Sequence, residues 1–512
     1  MTRSIEIDDV QRILTDLEHP VHVVRDTGGI GVTAALEPGQ CVLASAGPLS
    51  PENLGSHDFR RAHGVRMAYM AGGMANGISS VELVVAAARA GFLGAFGAGG
   101  LASDRVEAAL QRLAAEIPGL PYAVNLLNTP HEPALERAVV DLCLRYGVRC
   151  VEASAYLELT PELVRYRLNG LYRSTGGQVH AANRVIAKVS RPEVCRQFLL
   201  PAPEAMVAEL IARGQVTAEQ ADLSRAMPMA DDITVESDSA GHTDRRPLSA
   251  LLPVLRRLRD DVRRQRPELP SVRLGAAGGI GTPQAVAAAF ALGADYVVTG
   301  SVNQACVEAG TAAVTRRMLA TAGISDFDMA PSGYMFELGA QVQVLKSGTM
   351  FPQRARKLRQ LYETCSSIDD LPDADRIWLE RKVFRRPVGE VWDEVVAFFT
   401  TRDPAQIQQA VNDPKRRMAL MFRWYLGLSS RWAITGDADR LADYQVWAGP
   451  ALGAFNEWVR GTYLAAPENR SVTDVAHHLM RGAAVSTRIH QIECAGPRFP
   501  SEYSDYRPTP LS

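Results

Sequence analysis

Three stretches of this chain gather small residues around single polar side chains, a pattern that bares backbone toward a ligand while one group does chemistry. The first is Gly72-Gly73-Met74, with Asn76 close behind. The second reads ESDSAGHTD from Glu236 to Asp244 and sets His242 directly after Gly241. The third carries Gly278-Gly279 and Gly300-Ser301 at the ends of two consecutive apolar runs. Bare N–H groups on two adjacent turns favour an anion, most naturally a phosphate. The spacing is not the dinucleotide fingerprint, because Gln284 stands where a third small residue should follow Gly279 and Gly281. His242, with an ordinary pKa near ~6.5, can donate a proton or hydrogen-bond a substrate carbonyl. The alternative is a loop imidazole bonded to Asp238 or Asp244.

Those residues need strands and helices to bring them together. From residue 66 short apolar runs alternate with amphipathic helical patterns. Strands are expected at 66–71, 93–96, 122–126, 150–154, 185–189, 233–236, 272–276 and 296–299. Their helices fall at 79–90, 103–117, 133–146, 161–172, 192–199, 248–266, after 279 and at 304–322, with Ser103 as one cap. Eight units over about 260 residues give a (β/α)8 TIM barrel, whose ligand site lies at the C-terminal ends of the strands and whose phosphate site follows strands seven and eight. An open doubly wound sheet would show an early glycine fingerprint and fewer units. The loose GxGxxA of Gly29 to Ala34 reads as a hairpin turn, since Pro38 and Gly39 leave no room for a crossover helix. The expected organisation is a preface at 1–60, the barrel at 61–325, an appended helical subdomain at 326–440, and a segment at 441–512 that returns to the barrel. The Pro- and Ser-rich tail from Pro497 is expected to be loosely held.

Strand ends on this fold also offer Asn125, Glu152 and Lys188. Such a mouth suits a flat cofactor whose phosphate rests on the last two turns. Asn125 would bond the ring edge, or be a satisfied strand-end amide. Lys188 would place positive charge by the ring, or be an interior lysine paired with Glu152 or Glu236. No His pair with a third ligand suggests a metal, and no GxSxG elbow suggests acyl transfer.

Lys plus Arg number 55 against 57 Asp plus Glu, so no global charge calls for nucleic acid or an acidic membrane. Seven scattered Cys without a CxxC pair argue against a disulfide framework or zinc site and point to a reducing cytoplasm. The N-terminus lacks a signal-peptide core, and the apolar window at 83–102 is interrupted by Arg89 and five glycines, so the chain reads as soluble.

The motifs RMAYMAGGMANGISS from Arg66, VIAKVS from Val185, ITVESDSAGHTDRRP from Ile233, LGAAGGIGTPQA from Leu274 and FRWYLGLSSRWA from Phe422 resemble the PfaD-like family. These are trans-acting enoyl reductases of trans-acyltransferase polyketide synthases and polyunsaturated fatty acid synthases. The wider superfamily is similar to nitronate monooxygenases. The resemblance runs from about residue 20 to 488. It implies FMN as cofactor, NADPH as co-substrate, and an enoyl thioester on an acyl carrier protein as substrate, with a polyketide or polyunsaturated fatty acid synthase as partner. It leaves a homodimer open. FMN contacts carried over by motif are Gly72, Gly73, Met74, Asn125, Lys188, Gly241, Gly278, Gly279, Gly300, Ser301 and Gly449. His242 matches the active-site histidine, with Lys188 beside it in the catalytic set. Ala240 departs from the glycine that relatives show there. The second enzymatic reading is a nitronate monooxygenase-type flavin oxidase. An acidic carrier protein would meet basic runs such as Arg354, Arg356, Lys357 and Arg359, or Lys415 to Arg417, unless these are only solvated helix faces.

Overall fold

In the computed structural model, residues 7–511 are described apart from Gly28, His131, His242 and Tyr334. Eight parallel strands close into a barrel: β1 Tyr69–Ala71, β2 Leu93–Phe96, β3 Ala123–Leu127, β4 Cys150–Ser154, β5 Arg184–Val189, β6 Asp232–Glu236, β7 Arg273–Ala277 and β8 Tyr296–Thr299. Closure runs through β8 and β1, where Val297 stands opposite Tyr69, and through β4 and β5, where Val151 stands opposite Val185. The strands are short and almost wholly buried, as strands covered on both faces must be.

Helices follow the strands as expected: α1 Val81–Arg89, α2 Ser103–Glu116, α3 Pro133–Arg145, α4 Pro161–Leu168, α5 Pro192–Leu199, α6 Leu248–Gln265 and α7 Pro283–Ala291. Ser80, Thr160 and Thr282 cap α1, α4 and α7 through their side chains. Ser103 does not cap; it is the first helical residue of α2, behind Ala102. The expected helix at 304–322 is broken into Ser301–Gln304 and α8 Ala313–Thr321. The interruption lets Gly310 pack where any Cβ would strike the Gly77 carbonyl, and lets Glu308 accept a hydrogen bond from Ser80 Oγ at 2.5 Å.

The preface plugs the barrel floor. A short helix, His57–His63, capped by Ser56 and ended by Gly64 at φ 66°, buries Phe59 against Tyr296, with stacked rings 4.2 Å apart. Burying such a ring contributes about 1.5–3 kcal/mol. Beside it His63 Nε2 lies 2.8 Å from Asp232, which also pairs with Arg273. The GxGxxA stretch is indeed a hairpin, Val21–Asp26 with Gly29–Thr33, and a third strand, Cys41–Ala46, joins it.

After the barrel an antiparallel ribbon, Phe327–Pro331 with Gln341–Leu345, precedes the helices where only helix was expected. A second missed hairpin, Leu171–Arg173 with Val179–Ala181, lies between α4 and β5. The helical insert contains α9 Phe351–Thr364, α10 Val388–Arg402, α11 Pro404–Val411 and α12 Pro414–Thr435. It packs its own apolar cluster around Phe336, Phe422 and Tyr425. The chain then returns through α13 Pro450–Trp458 and α14 Val472–Cys494, and α14 lies against α7 because Gly482 leaves only enough room for Pro283. The tail is held rather than loose: Tyr506 is buried, its carbonyl accepts from Trp458 Nε1 at 2.9 Å and its hydroxyl meets His478 Nδ1 at 2.8 Å.

Candidate active site

A cavity of about 520 Å³ opens at the C-terminal ends of the strands. Its floor is an ionic cluster. Lys188 on β5 lies 3.1 Å from Glu236 on β6, and both border the cavity. Burial opposes charge on the Lys188 ammonium, but Glu236 and Glu152 overcome it and raise its pKa above the ordinary lysine value. Glu152 on β4 is fully buried, and burial pushes its carboxyl upward despite the lysine. Lys188 is thus the interior lysine paired with Glu236 that one reading expected, and it also borders the cavity.

The turn after β1 is fastened to this floor. Gly73 N–H donates to Glu152 Oε2 at 2.8 Å, and a Cβ on Gly73 would collide with that oxygen and with Asn125. Ser79 Oγ accepts from Met74 N–H and donates to the Gly72 carbonyl, both at 2.9 Å, which fixes the turn. Asn125 Nδ2 donates to Ser154 Oγ at 2.9 Å and reaches the Glu152 backbone and side-chain oxygens at 3.3 Å. Its donor is thus spent on the protein.

The other expected residues meet at the opposite rim. Gly278 and Gly279 sit at φ 90° and 71°, a left-handed turn that side chains adopt only with strain. Gly278 is wedged against Ser237 and Asp238, whereas a Cβ on Gly279 or Gly300 would meet nothing. Ser301 opens a short helix behind Gly300, and its Oγ accepts from Gly449 N–H at 3.2 Å. Gly241 borders the same cavity; His242 lies outside the described residues. The geometry thus brings together Gly72, Gly73, Met74, Asn125, Lys188, Gly241, Gly278, Gly279, Gly300, Ser301 and Gly449.

Sequence reading named Gly449 from the returning chain but missed two other residues of the wall. Gln343, on the ribbon, and Trp447 complete the wall. Gln343 Nε2 donates to Asp238 Oδ1 at 2.9 Å, while its buried Oε1 accepts from no described residue, as does Glu152 Oε1. The alternation in QVQVL, residues 341–345, was the available signal for that strand. Two unpaired buried acceptors, one charged lysine and glycine turns with open space beside them fit a flat polar ligand that carries a phosphate.

The proposed basic runs are spent internally. Arg354 pairs with Asp443, Arg356 with Asp328, Lys357 with Asp375 and Arg359 with Glu363. Lys415 donates to the Tyr362 and Cys365 carbonyls, Arg416 to Gln406, and Arg417 lies over the Trp392 ring.

Fold and site define a (β/α)8 barrel with a polar, glycine-lined cavity at its strand ends. Residues 61–334 match the family model of nitronate monooxygenase, and residues 365–444 that of the [acyl-carrier-protein] S-malonyltransferase inserted helical domain. The chain is 44% identical, over 99% of its length, to a polyunsaturated fatty acid synthase component of Thraustochytrium sp., of which it spans 34%. It is also 44% identical to polyketide biosynthesis protein PksE of Bacillus subtilis, over 85% of this chain and 57% of that one. The crystal structure of the enoyl reductase domain of MlnA, from the macrolactin cluster of Bacillus amyloliquefaciens, superposes with a TM-score of 0.82 at 38% identity, covering 86% of this chain and 99% of that one. The chain belongs to the nitronate monooxygenase family of flavin-dependent oxidoreductases and, within it, to the PfaD-like enoyl reductases. Among the described residues no helix is long and apolar enough to cross a membrane.

Proposed function

We propose that this chain is an FMN-dependent enoyl reductase that uses NADPH to reduce the α,β double bond of enoyl thioesters held on an acyl carrier protein, in polyketide or polyunsaturated fatty acid synthesis. The observation that carries the reading is the cavity in which phosphate turns, Asn125 and a charged Lys188 converge. It is supported by relatives named as a polyunsaturated fatty acid synthase subunit and as a polyketide biosynthesis protein. The cavity-lining glycines and Ser301 are proposed as FMN contacts, with Lys188 and Asn125. The four-part division at 1–60, 61–325, 326–440 and 441–512, and a cytoplasmic setting for the seven free cysteines, belong to the same proposal.

FMN, when bound, supplies hydride transfer from NADPH to the β-carbon of the enoyl thioester. The protein's part is positioning and charge. N–H groups of the Gly278-Gly279 turn and the Gly300-Ser301 helix start bind the phosphate. Lys188 presents a fixed positive charge to an electron-rich ring, and the bond network of Asn125, Glu152 and Gly73 keeps the cavity floor rigid. His242, or an ordered water, delivers a proton to the α-carbon.

Purified protein should oxidise NADPH when given a crotonyl carrier protein; inertness toward every enoyl thioester would overturn the reading. His242→Ala should keep its flavin and lose enoyl reduction. Gly279→Asp places a carboxylate beside the phosphate turn and should purify colourless, without FMN. The match over residues 61–334 favours one rival, a nitronate-oxidising flavin enzyme, and oxygen uptake with a nitronate in place of NADPH-dependent enoyl reduction would select it.

A further inference from the structure

The helix after β6 carries a charge asymmetry that the cavity does not use. Between Arg245 and Arg266 stand eight arginines and two aspartates, in a chain whose totals are 55 basic and 57 acidic side chains. Three of these arginines are matched by carboxylates: Arg259 by Asp260, Arg264 by Asp261 and Arg266 by Glu268. Arg256 reaches only the Leu292 carbonyl, at 3.4 Å. The guanidinium groups of Arg245, Arg246, Arg257 and Arg263 are exposed and make no hydrogen bond or ion pair among the described residues.

The loop that leads into this helix is pinned from within. Asp244 is gripped by Arg191 at 2.7 and 2.8 Å and by Ser190 at 3.1 Å. The Arg246 carbonyl accepts from Asp238 N–H at 3.0 Å, and Arg245 is held at φ 55°, a strained setting for a side-chain-bearing residue. With the loop's acid turned to the protein, its arginines are left to solvent. Immediately after Arg245 and Arg246, Pro247, Leu248 and Ser249 line the cavity, so these two cations stand beside its mouth. Val254, 52% exposed, and Pro253 add an apolar spot one turn before Arg257, which lies about 14 Å along the helix from Leu248.

We propose that the loop 243–247 and the first half of α6 form the docking face for an acidic carrier domain, which delivers its thioester into the cavity from this side. The proposal rests on the enoyl reductase reading. Unpaired exposed cations attract an acidic partner over roughly a Debye length, about 8–10 Å, and raise its encounter rate. The apolar spot between them suits a folded helix, whereas a polyanion such as nucleic acid gains nothing from it. In the helical insert the run 354–359 has each of its four cations paired with a carboxylate, and Lys415, Arg416 and Arg417 are held by carbonyls, Gln406 and the Trp392 ring.

The test uses Arg246→Glu with Arg257→Glu in the full chain and two substrates, crotonyl carrier protein and a crotonyl thioester of pantetheine without the protein. The expected result is about a tenfold loss in kcat/KM for the carrier-bound substrate, carried by KM and shrinking as salt is added, with the small thioester unchanged within twofold. Equal losses on both substrates, or no loss on either, overturn the docking face. Fluorescence anisotropy of a labelled carrier domain separates the two layers of inference. A wild type that binds the domain, a variant that does not, and no turnover of either thioester would remove the reductase reading and keep the face. A wild type that reduces the small thioester but does not bind the domain would remove the face alone. Wild-type retention on duplex DNA or anionic vesicles that excludes the carrier domain, lost in the variant, would reassign the face to a polyanion.

Discussion

Lys188 is at once a buried ion-pair partner and part of the cavity lining. Its ammonium lies 3.1 Å from Glu236 and is held charged by that residue and Glu152. Lys188→Met should leave the two carboxylates facing each other in a buried floor and cost about 3–5 kcal/mol of stability, read as a fall in Tm. Adding Glu236→Gln should restore much of the Tm; on the proposed FMN site it should not restore the midpoint potential of bound flavin, because both variants lack the Lys188 cation. Residue identity was legible at this scale, but orientation was not. Nothing in the sequence says that Asn125 spends its N–H groups on Ser154 and Glu152, because that depends on where β4 falls beside β3. A second residue-scale consequence lies at the barrel floor. Burial alone would raise the Asp232 carboxyl, but His63 and Arg273 hold it down at about 2. Such a depressed carboxylate contributes about 2 kcal/mol above the ordinary aspartate range and loses it as pH falls toward about 2. The Tm gap between wild type and Asp232→Asn should therefore narrow as the solution is acidified from neutrality through that window.

At the scale of elements, the barrel was legible because each strand is a short apolar run closed by a turn. The bounds of β2, β4 and β8 coincide with expectation. What was hidden lay where composition misled. QVQVL sits among arginine- and tryptophan-rich helices, yet it alternates as a strand and brings Gln343 to the cavity. The break before α8 follows from a tertiary contact, the approach of Gly310 to Gly77, which no local propensity encodes. The same kind of contact joins the loop after β7 to the returning chain: a Cβ at Gly281 would strike the Ala451 carbonyl. Gly281→Ala should push α13 from the cavity rim and weaken FMN binding by more than tenfold, measured by flavin fluorescence, with a lower Tm. Equal affinity would show that the rim tolerates the displacement.

Across the whole molecule two apolar cores meet at Trp432, which packs against both the barrel cluster and the insert cluster. Arg440 lies over its ring at 4.2 Å, and Trp424 and Tyr425 touch its edges. Wild-type protein should unfold in one calorimetric transition. Trp432→Ala, by removing the shared side chain, should split it into two.

The insert departs and returns through adjoining backbone. Leu345 N–H donates to the Val446 carbonyl at 2.9 Å, and Val344 bridges Trp447. Its ends are therefore closed by the ribbon itself, and each doubling of the enclosed length adds only about 0.6 kcal/mol of loop entropy. A change in the insert's length therefore costs little in closure entropy, while Gln343 and Trp447, on the two clasped ends, keep the cavity wall at one width.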